Sequence, residues 1–481
     1  MHRSFSLVLT LTLLLTSGCT VPFLGNRNGM DDTPGPIIAK LNPRQTSSKR
    51  VEGIAIPKKA LQNARLTIGV ARNKELESYL NAILLKIQAS WPGEVEPSYV
   101  FIRPNPQFEA FTRDHAIFLN YGILNWLESE DEVAALLAYE YSHILLKHKA
   151  GSYIYQSSWP WYELFGSAYS KEAIQTALSE SGNKIIPFAD DRISHKALIP
   201  VFSRKQKEEA DALATDLLLR SGYSPESQIN LLSRRDTWEK GEAELITSAN
   251  AARRQQTPRA HVFGPDCLYA SYRLSKFLFM FSSYYPTEER QSAIKIYIHR
   301  WYPNSAHPAP QKTPLETILG AVPVRAFLAG LEEMEAARQA MYSHQIEKAW
   351  QHIQSPSCTS QAEEISYIRY VEQMIVDKSG RLSTEQLERD CAKPHTLLPE
   401  YRLLINAYTA TDKEKALQIA EAVFKQFDSP EIMLPQLIRL YKIQGNPRKA
   451  ATYISRCEST ENSELISICQ DSAAEGDKTV H

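Results

Sequence analysis

The sequence predicts a mainly α (α+β) protein: a helical domain with a small sheet, followed by an α-helical repeat array. Three observations carry that prediction. Strand-like patterning is confined to short early runs, Leu66–Val70 and His115–Tyr121. Apolar residues elsewhere fall on a helical period, as in Glu75–Ser90, Asp131–His148 and most of the chain beyond Leu315. Finally, Tyr408 and Tyr441 stand 33 residues apart and Ala416 and Ala450 stand 34 apart, the period of a two-helix repeat.

With 481 residues the chain can hold two or three domains with full cores. Its formal net charge is -1 and 23% of its residues are charged. There is no basic excess to meet nucleic acid and no acidic block of a solvating tail, so a nucleic-acid partner is excluded.

His2 and Arg3 precede the apolar run Phe5–Leu15, which is too short to span a bilayer as a stable helix. Thr16, Ser17 and Gly18 then lead into Cys19, and no other run reaches membrane-spanning length. Small residues also end a plain secretory signal, which stays open as the alternative. A cysteine directly after them resembles a bacterial lipobox, although Thr16 stands where Leu is usual. That resemblance implies a lipoprotein signal peptide over 1–18 and a lipid on Cys19. Thr20 lacks the Asp that retains lipoproteins at the inner membrane, which implies an outer-membrane anchor facing the periplasm of a bacterial cell envelope. Residues 19–50, rich in Pro, Gly, Asn, Ser and Thr, read as a flexible tether.

A first domain is expected over 51–302. It opens with Leu66–Val70 as a strand and Glu75–Ser90 as a helix. His115–Tyr121 then reads as a strand that Gly122 turns into a short helix, Ile123–Leu127. Ser129 and Glu132 form a capping box that starts the next helix, with Lys147 and His148 in its last turn and Gly151 beyond. A Pro-rich bridge, 303–314, separates this domain from a helical repeat domain over 315–475. There Leu437, Tyr441, Gly445, Ala450 and Ile454 fit a tetratricopeptide helix pair, with an unspecialised helical bundle as the alternative. Such arrays offer a concave face to a protein partner. Four cysteines lie in this part; Cys358–Cys391 and Cys457–Cys469 are the simplest pairing of three possible, and buried free thiols are the other reading.

Within Asp131–His148, Tyr139-Glu140-Tyr141-Ser142-His143 is a His-Glu-x-x-His helix without its first histidine. Positions four apart share a helix face, and in that motif two imidazoles hold zinc while the Glu acts as general base. Together with the Ile117–Leu124 strand and turn before it, the segment resembles the catalytic helix of peptidase family M48, the CAAX prenyl protease and HtpX-type heat-shock protease family. Arg204–Pro225 resembles the family's second site helix, and Tyr285-Pro286-Thr-Glu-Glu-Arg290 a segment that often begins His-Pro. The resemblance covers about residues 55–300.

Carried over by residue, it puts Tyr139 at the first zinc-ligand position, Glu140 at the base, His143 at the second ligand and Lys207 at the third. Asp211 takes the supporting carboxylate and Tyr285 the additional histidine. A phenol and an ammonium are poor zinc donors at neutral pH, so no cofactor is expected. Lys207 is expected instead to bridge Glu140 and Asp211 in place of the metal's charge. Glu209 and His148 read as turned away from the site, and His115 and His261 as able to approach it only through the fold. Trp159–Phe165 reads as an aromatic plug over the cleft, the alternative being a surface that grips unfolded chains or touches the membrane. The expected function is a non-catalytic, lipid-anchored adaptor or chaperone in cell-envelope protein assembly or quality control. The alternative is an active M48-type zinc metalloendopeptidase of the periplasm using Tyr139, His143 and Glu140.

Overall fold

The computed structural model describes residues 35–41, 56–148, 202–256, 285–305, 308–460 and 463–478. Cys19, Trp159–Phe165, His261 and Cys267 lie outside them. Three short strands, β1 (Tyr99–Arg103), β2 (Ala110–Arg113) and β3 (Ala116–Asn120), form a sheet of order β1-β3-β2. β1 pairs parallel with β3, and β2 antiparallel. Alternation sets its two faces. Val100, Ile102, Ile117 and Leu119 point into the main core. Phe101, Phe111 and Phe118 pack on Ala60 and Ala64 of a separate helix, Lys58–Ala64.

The expected strand Leu66–Val70 is a turn instead. The N–H groups of Leu66, Thr67 and Gly69 bond back to Asn63 and Ala64, and Gly69 sits at φ +71°. Only Ala71 reaches the sheet, as an isolated bridge to Ile102. The short helix expected after Gly122 is a 3-10 turn over Tyr121–Asn125.

Four helices build the site. They are α1 (Lys74–Ser90), α2 (Glu130–Leu145), α3 (Arg204–Ser221) and α4 (Thr287–Trp301). α2 starts at Ser129, whose Oγ accepts the Glu132 N–H, while the Glu132 carboxylate accepts the N–H of Glu128. Val133, Ala134, Leu137, Ala138 and Tyr141 then bury one side of it completely. α3 opens with a Ser203–Gln206 capping box and ends on Gly222 in the left-handed conformation.

The Pro-rich segment is docked on the start of α2. Gln311 N–H donates to Asp131 (2.7 Å), and its carbonyl accepts from Glu130 (2.8 Å). Beyond it, α5 (Leu398–Thr411) and α6 (Lys413–Gln426) form one helix pair, and α7 (Leu434–Ile443) and α8 (Pro447–Glu458) the next. Equivalent side chains repeat in them. Tyr408 donates to Glu388 with Lys415 over its ring at 4.2 Å; Tyr441 donates to Glu421 with Lys449 over its ring at 5.0 Å. Asp412 and Asn446 cap the helices that carry the two lysines. Cys457 is disulfide-bonded to Cys469 on the last helix, Ser463–Lys478. The expected Cys358–Cys391 pair is not formed: each is a free buried thiol, Cys358 donating to the Gly330 carbonyl.

One continuous core joins both parts. Leu76, Ile83, Leu137 and Leu217 belong to the same cluster as Phe327, Val371, Leu404 and Tyr441. Among the described residues no single helix is long and apolar enough to cross a membrane. One pair, Thr313–Gly320 and Val322–Tyr342, passes on length and composition but bends by 71°. Phe327, Leu331 and Met334 of that pair are fully buried in the core.

Candidate functional site

The site lies where α2, α3, α4 and the β2 edge meet. Glu140 is buried on the face of α2 toward the sheet, and Thr112 of β2 donates to its Oε2 at 3.0 Å. Burial lifts the Glu140 pKa to about 8, against the pull of that hydrogen bond. At neutral pH this carboxyl therefore holds its proton rather than taking one from water.

His143, one turn on, is 2% exposed. Its ring stacks on Phe202 at 3.6 Å and meets the Tyr139 ring edge-on at 4.8 Å. Burial, together with His148, Arg290 and Lys207 nearby, holds its pKa far below the usual histidine value, so the ring is neutral. Its Nδ1 lies 2.9 Å from Nδ1 of His148, whose Nε2 lies 3.2 Å from Glu209. The network assigns the protons. Facing a carboxylate, His148 carries its proton on Nε2 and accepts at Nδ1, so His143 donates from Nδ1. The His143 Nε2 is then a lone pair, buried and without a hydrogen-bond partner among the described residues.

His148 and Glu209 correct the sequence expectation that both turn away. α2 stops at Leu145 rather than continuing to His148. Lys147 takes φ +52°, its N–H bonds to Ile144 O, and the His148 N–H bonds to His143 O. This is a Schellman stop, and it folds His148 back over His143. The left-handed position holds lysine rather than glycine, so the usual sequence signal was missing.

A further cation enters the site. Asp211, 4% exposed, is gripped on both oxygens by Arg290 of α4, at 2.8 and 2.6 Å. Burial opposes the charge of Arg290, but the Asp211 carboxylate outweighs it and raises the guanidinium pKa. Arg290, which the sequence did not assign to Asp211, thus answers that carboxylate, with Lys207 within electrostatic reach of it, and Thr112 donates to Glu140. The Arg290 guanidinium also lies 4.9 Å from the Tyr139 ring and 5.9 Å from that of Tyr285, both within cation–π reach. Lys207 is half-buried beside this cluster. Burial and the charges of Arg235 and Arg290 bring its ammonium down to about 8. Arg290 was legible as part of the Tyr285–Arg290 segment, but nothing in the sequence assigned it to Asp211. His115 lies apart from the cluster, exposed in the β2–β3 turn with Glu96 3.8 Å away.

Residues 70–298 match the family model described as Peptidase family M48. They form a domain of that family. Over 163 residues the chain is 24% identical to the beta-barrel assembly-enhancing protease of Yersinia pestis, covering 33% of this chain and 32% of that protein. The chain thus spans about a third of that relative's length.

A zinc site of the M48 type needs three deprotonated donors and a water. Here burial raises the phenol pKa of both Tyr139 and Tyr285 above the ordinary range, so both stay protonated. Lys207 and Arg290 add positive charge where a cation would bind. Among the described residues no three His, Cys, Asp or Glu side chains come together to hold a metal. The donor set does not fit zinc, although the oriented Nε2 of His143 is a ligand-type atom.

Proposed function

We propose that this protein is a non-catalytic M48-type lipoprotein, acting as an adaptor or chaperone in cell-envelope protein assembly or quality control. One observation carries the reading: Asp211, which the resemblance makes the supporting carboxylate, is closed by the Arg290 guanidinium. A phenol at the first ligand position and Lys207 at the third leave His143 as the one zinc-type donor of the set that the resemblance implies, which does not fit a zinc-bound nucleophile. The envelope role follows from likeness to a relative named for enhancing beta-barrel assembly, and from the predicted anchor at Cys19. The tetratricopeptide-like helix pairs from Leu398 onward are the proposed surface for a protein partner, repeating at the spacing such arrays use.

The second reading, a zinc metalloendopeptidase, is favoured by the His143–His148–Glu209 chain, which presents a lone pair as a metal-bound histidine does. Metal analysis of the purified full chain, with a casein cleavage assay on wild type and Glu140→Gln, separates the two. We expect less than about 0.1 zinc per chain, far short of the full occupancy of a catalytic site, and no metal-dependent cleavage. Stoichiometric, tightly held zinc with activity abolished by Glu140→Gln would establish the peptidase.

A further inference from the structure

The segment expected to be flexible tether contains a docked piece. Ile37–Lys40 form a single helical turn against α3 and α4. Asp216 of α3, fully buried, accepts the Ile38 N–H at 2.9 Å. The same carboxylate accepts the Tyr297 hydroxyl at 2.9 Å and the Tyr302 hydroxyl at 2.7 Å. Tyr297 in turn accepts the Ile37 N–H at 2.8 Å. Ile38 is 7% exposed and belongs to the main core.

A buried carboxylate surrounded by phenols would be poorly compensated without a backbone donor, and the Ile37 and Ile38 N–H groups that open the turn find their partners outside it. Each side thus satisfies the other. Lys40, at the end of the turn, lies within electrostatic reach of both Asp216 and Glu209. Those two residues stand seven apart on α3, two turns along one side of the helix. The turn therefore runs beside the helix that carries Asp211, toward the Glu209 that orients His148 and His143.

We propose that residues 35–41 are a latch that clips the N-terminal arm onto the second site helix through Asp216. Its function rests on the reading that Cys19 carries the lipid. With the latch closed, only the residues between Cys19 and Pro36 separate membrane from domain, about 60 Å at full extension. Unclipped, the chain from Cys19 to Pro57 could reach about 130 Å at full extension, so the latch roughly halves how far the domain can stand from the membrane.

Hydrogen–deuterium exchange on the detergent-solubilised full chain tests the latch without requiring a membrane. In wild type the peptide spanning Ile37–Leu41 should be protected, and Ile38→Asp should raise its exchange by about tenfold or more, as for a locally opened segment. Asp216→Asn should do the same. Because that change touches the core of α3, Ile38→Asp, which lies on the arm, is the deciding variant. Unprotected Ile37–Leu41 amides in wild type, or exchange unchanged in Ile38→Asp, would overturn the proposal. Lipid analysis of Cys19 reports on the anchor separately, so loss of one leaves the other standing.

Discussion

Glu140 shows how one buried carboxyl ties function to stability. Its pKa of about 8 in the fold lies well above the value of about 4.3 for a free Glu. A raised carboxyl favours the folded state fully at pH below the unfolded value, and that contribution is lost as pH rises through the folded one. Wild type should therefore lose stability between pH 5 and 8. Glu140→Gln keeps the shape and removes the charge, so it should unfold at higher denaturant than wild type at pH 8, by ~1–3 kcal/mol. The difference should shrink at pH 5, which denaturant titrations at the two pH values would read. A variant less stable than wild type at pH 8 would mean that Glu140 is ionised and paired. At the same scale, Arg290 compensates the buried Asp211 carboxylate through two hydrogen bonds. Removing one partner of such a buried pair would leave an uncompensated charge and should be strongly destabilising.

Among the elements, two stops shape the site, and neither is a simple end of a hydrophobic pattern. Gly122, at the turn from β3 toward α2, has no room for a side chain: a Cβ there would meet the Pro106 carbonyl oxygen at 1.8 Å. Gly122→Ala must displace the Pro106 backbone, which packs beside the strand that positions α2. It should lower stability by ~2 kcal/mol or more, measured as a fall in melting temperature. The Lys147 stop is the other. A helix continuing to His148 would place that residue five positions from His143 and off its face; the left-handed turn instead brings the two imidazoles into hydrogen-bond contact.

Across the whole molecule, the boundary that composition suggests at the Pro-rich bridge does not divide the core. Arg65 donates to Thr396 O at 2.9 Å, Leu398 N–H donates to Arg65 O at 2.8 Å, and Leu397 packs against Gly69. Apolar surface shared across a boundary couples the unfolding of both sides. Calorimetry should show one transition for the peptidase-like and helical-repeat parts together. Two separated transitions would mean that the shared surface contributes little. The docked turn at Ile37–Lys40 extends the same cohesion to the arm.

The M48 likeness and the 33-residue spacing of Tyr408 and Tyr441 were readable from residue types and spacing, because helical periodicity and motif spacing are local properties of the chain. Asp211, Glu140 and His143 were named on that basis, as was the pairing of Cys457 with Cys469. Which cation answers Asp211 and where Ile38 docks depend on residues tens to hundreds of positions apart, and His148 meets His143 only through a backbone turn and Glu209, 61 positions on. Arg290 reaches Asp211 because α4 brings its guanidinium onto both carboxylate oxygens, a geometry set by packing between helices. His148 joins the site because one lysine accepts a left-handed backbone that sequence preference disfavours. Tyr139-Glu140-Tyr141-Ser142-His143 and the segments that accompany it carry the family likeness in the sequence; the neighbours of that helix, which set its chemistry, came from the tertiary structure.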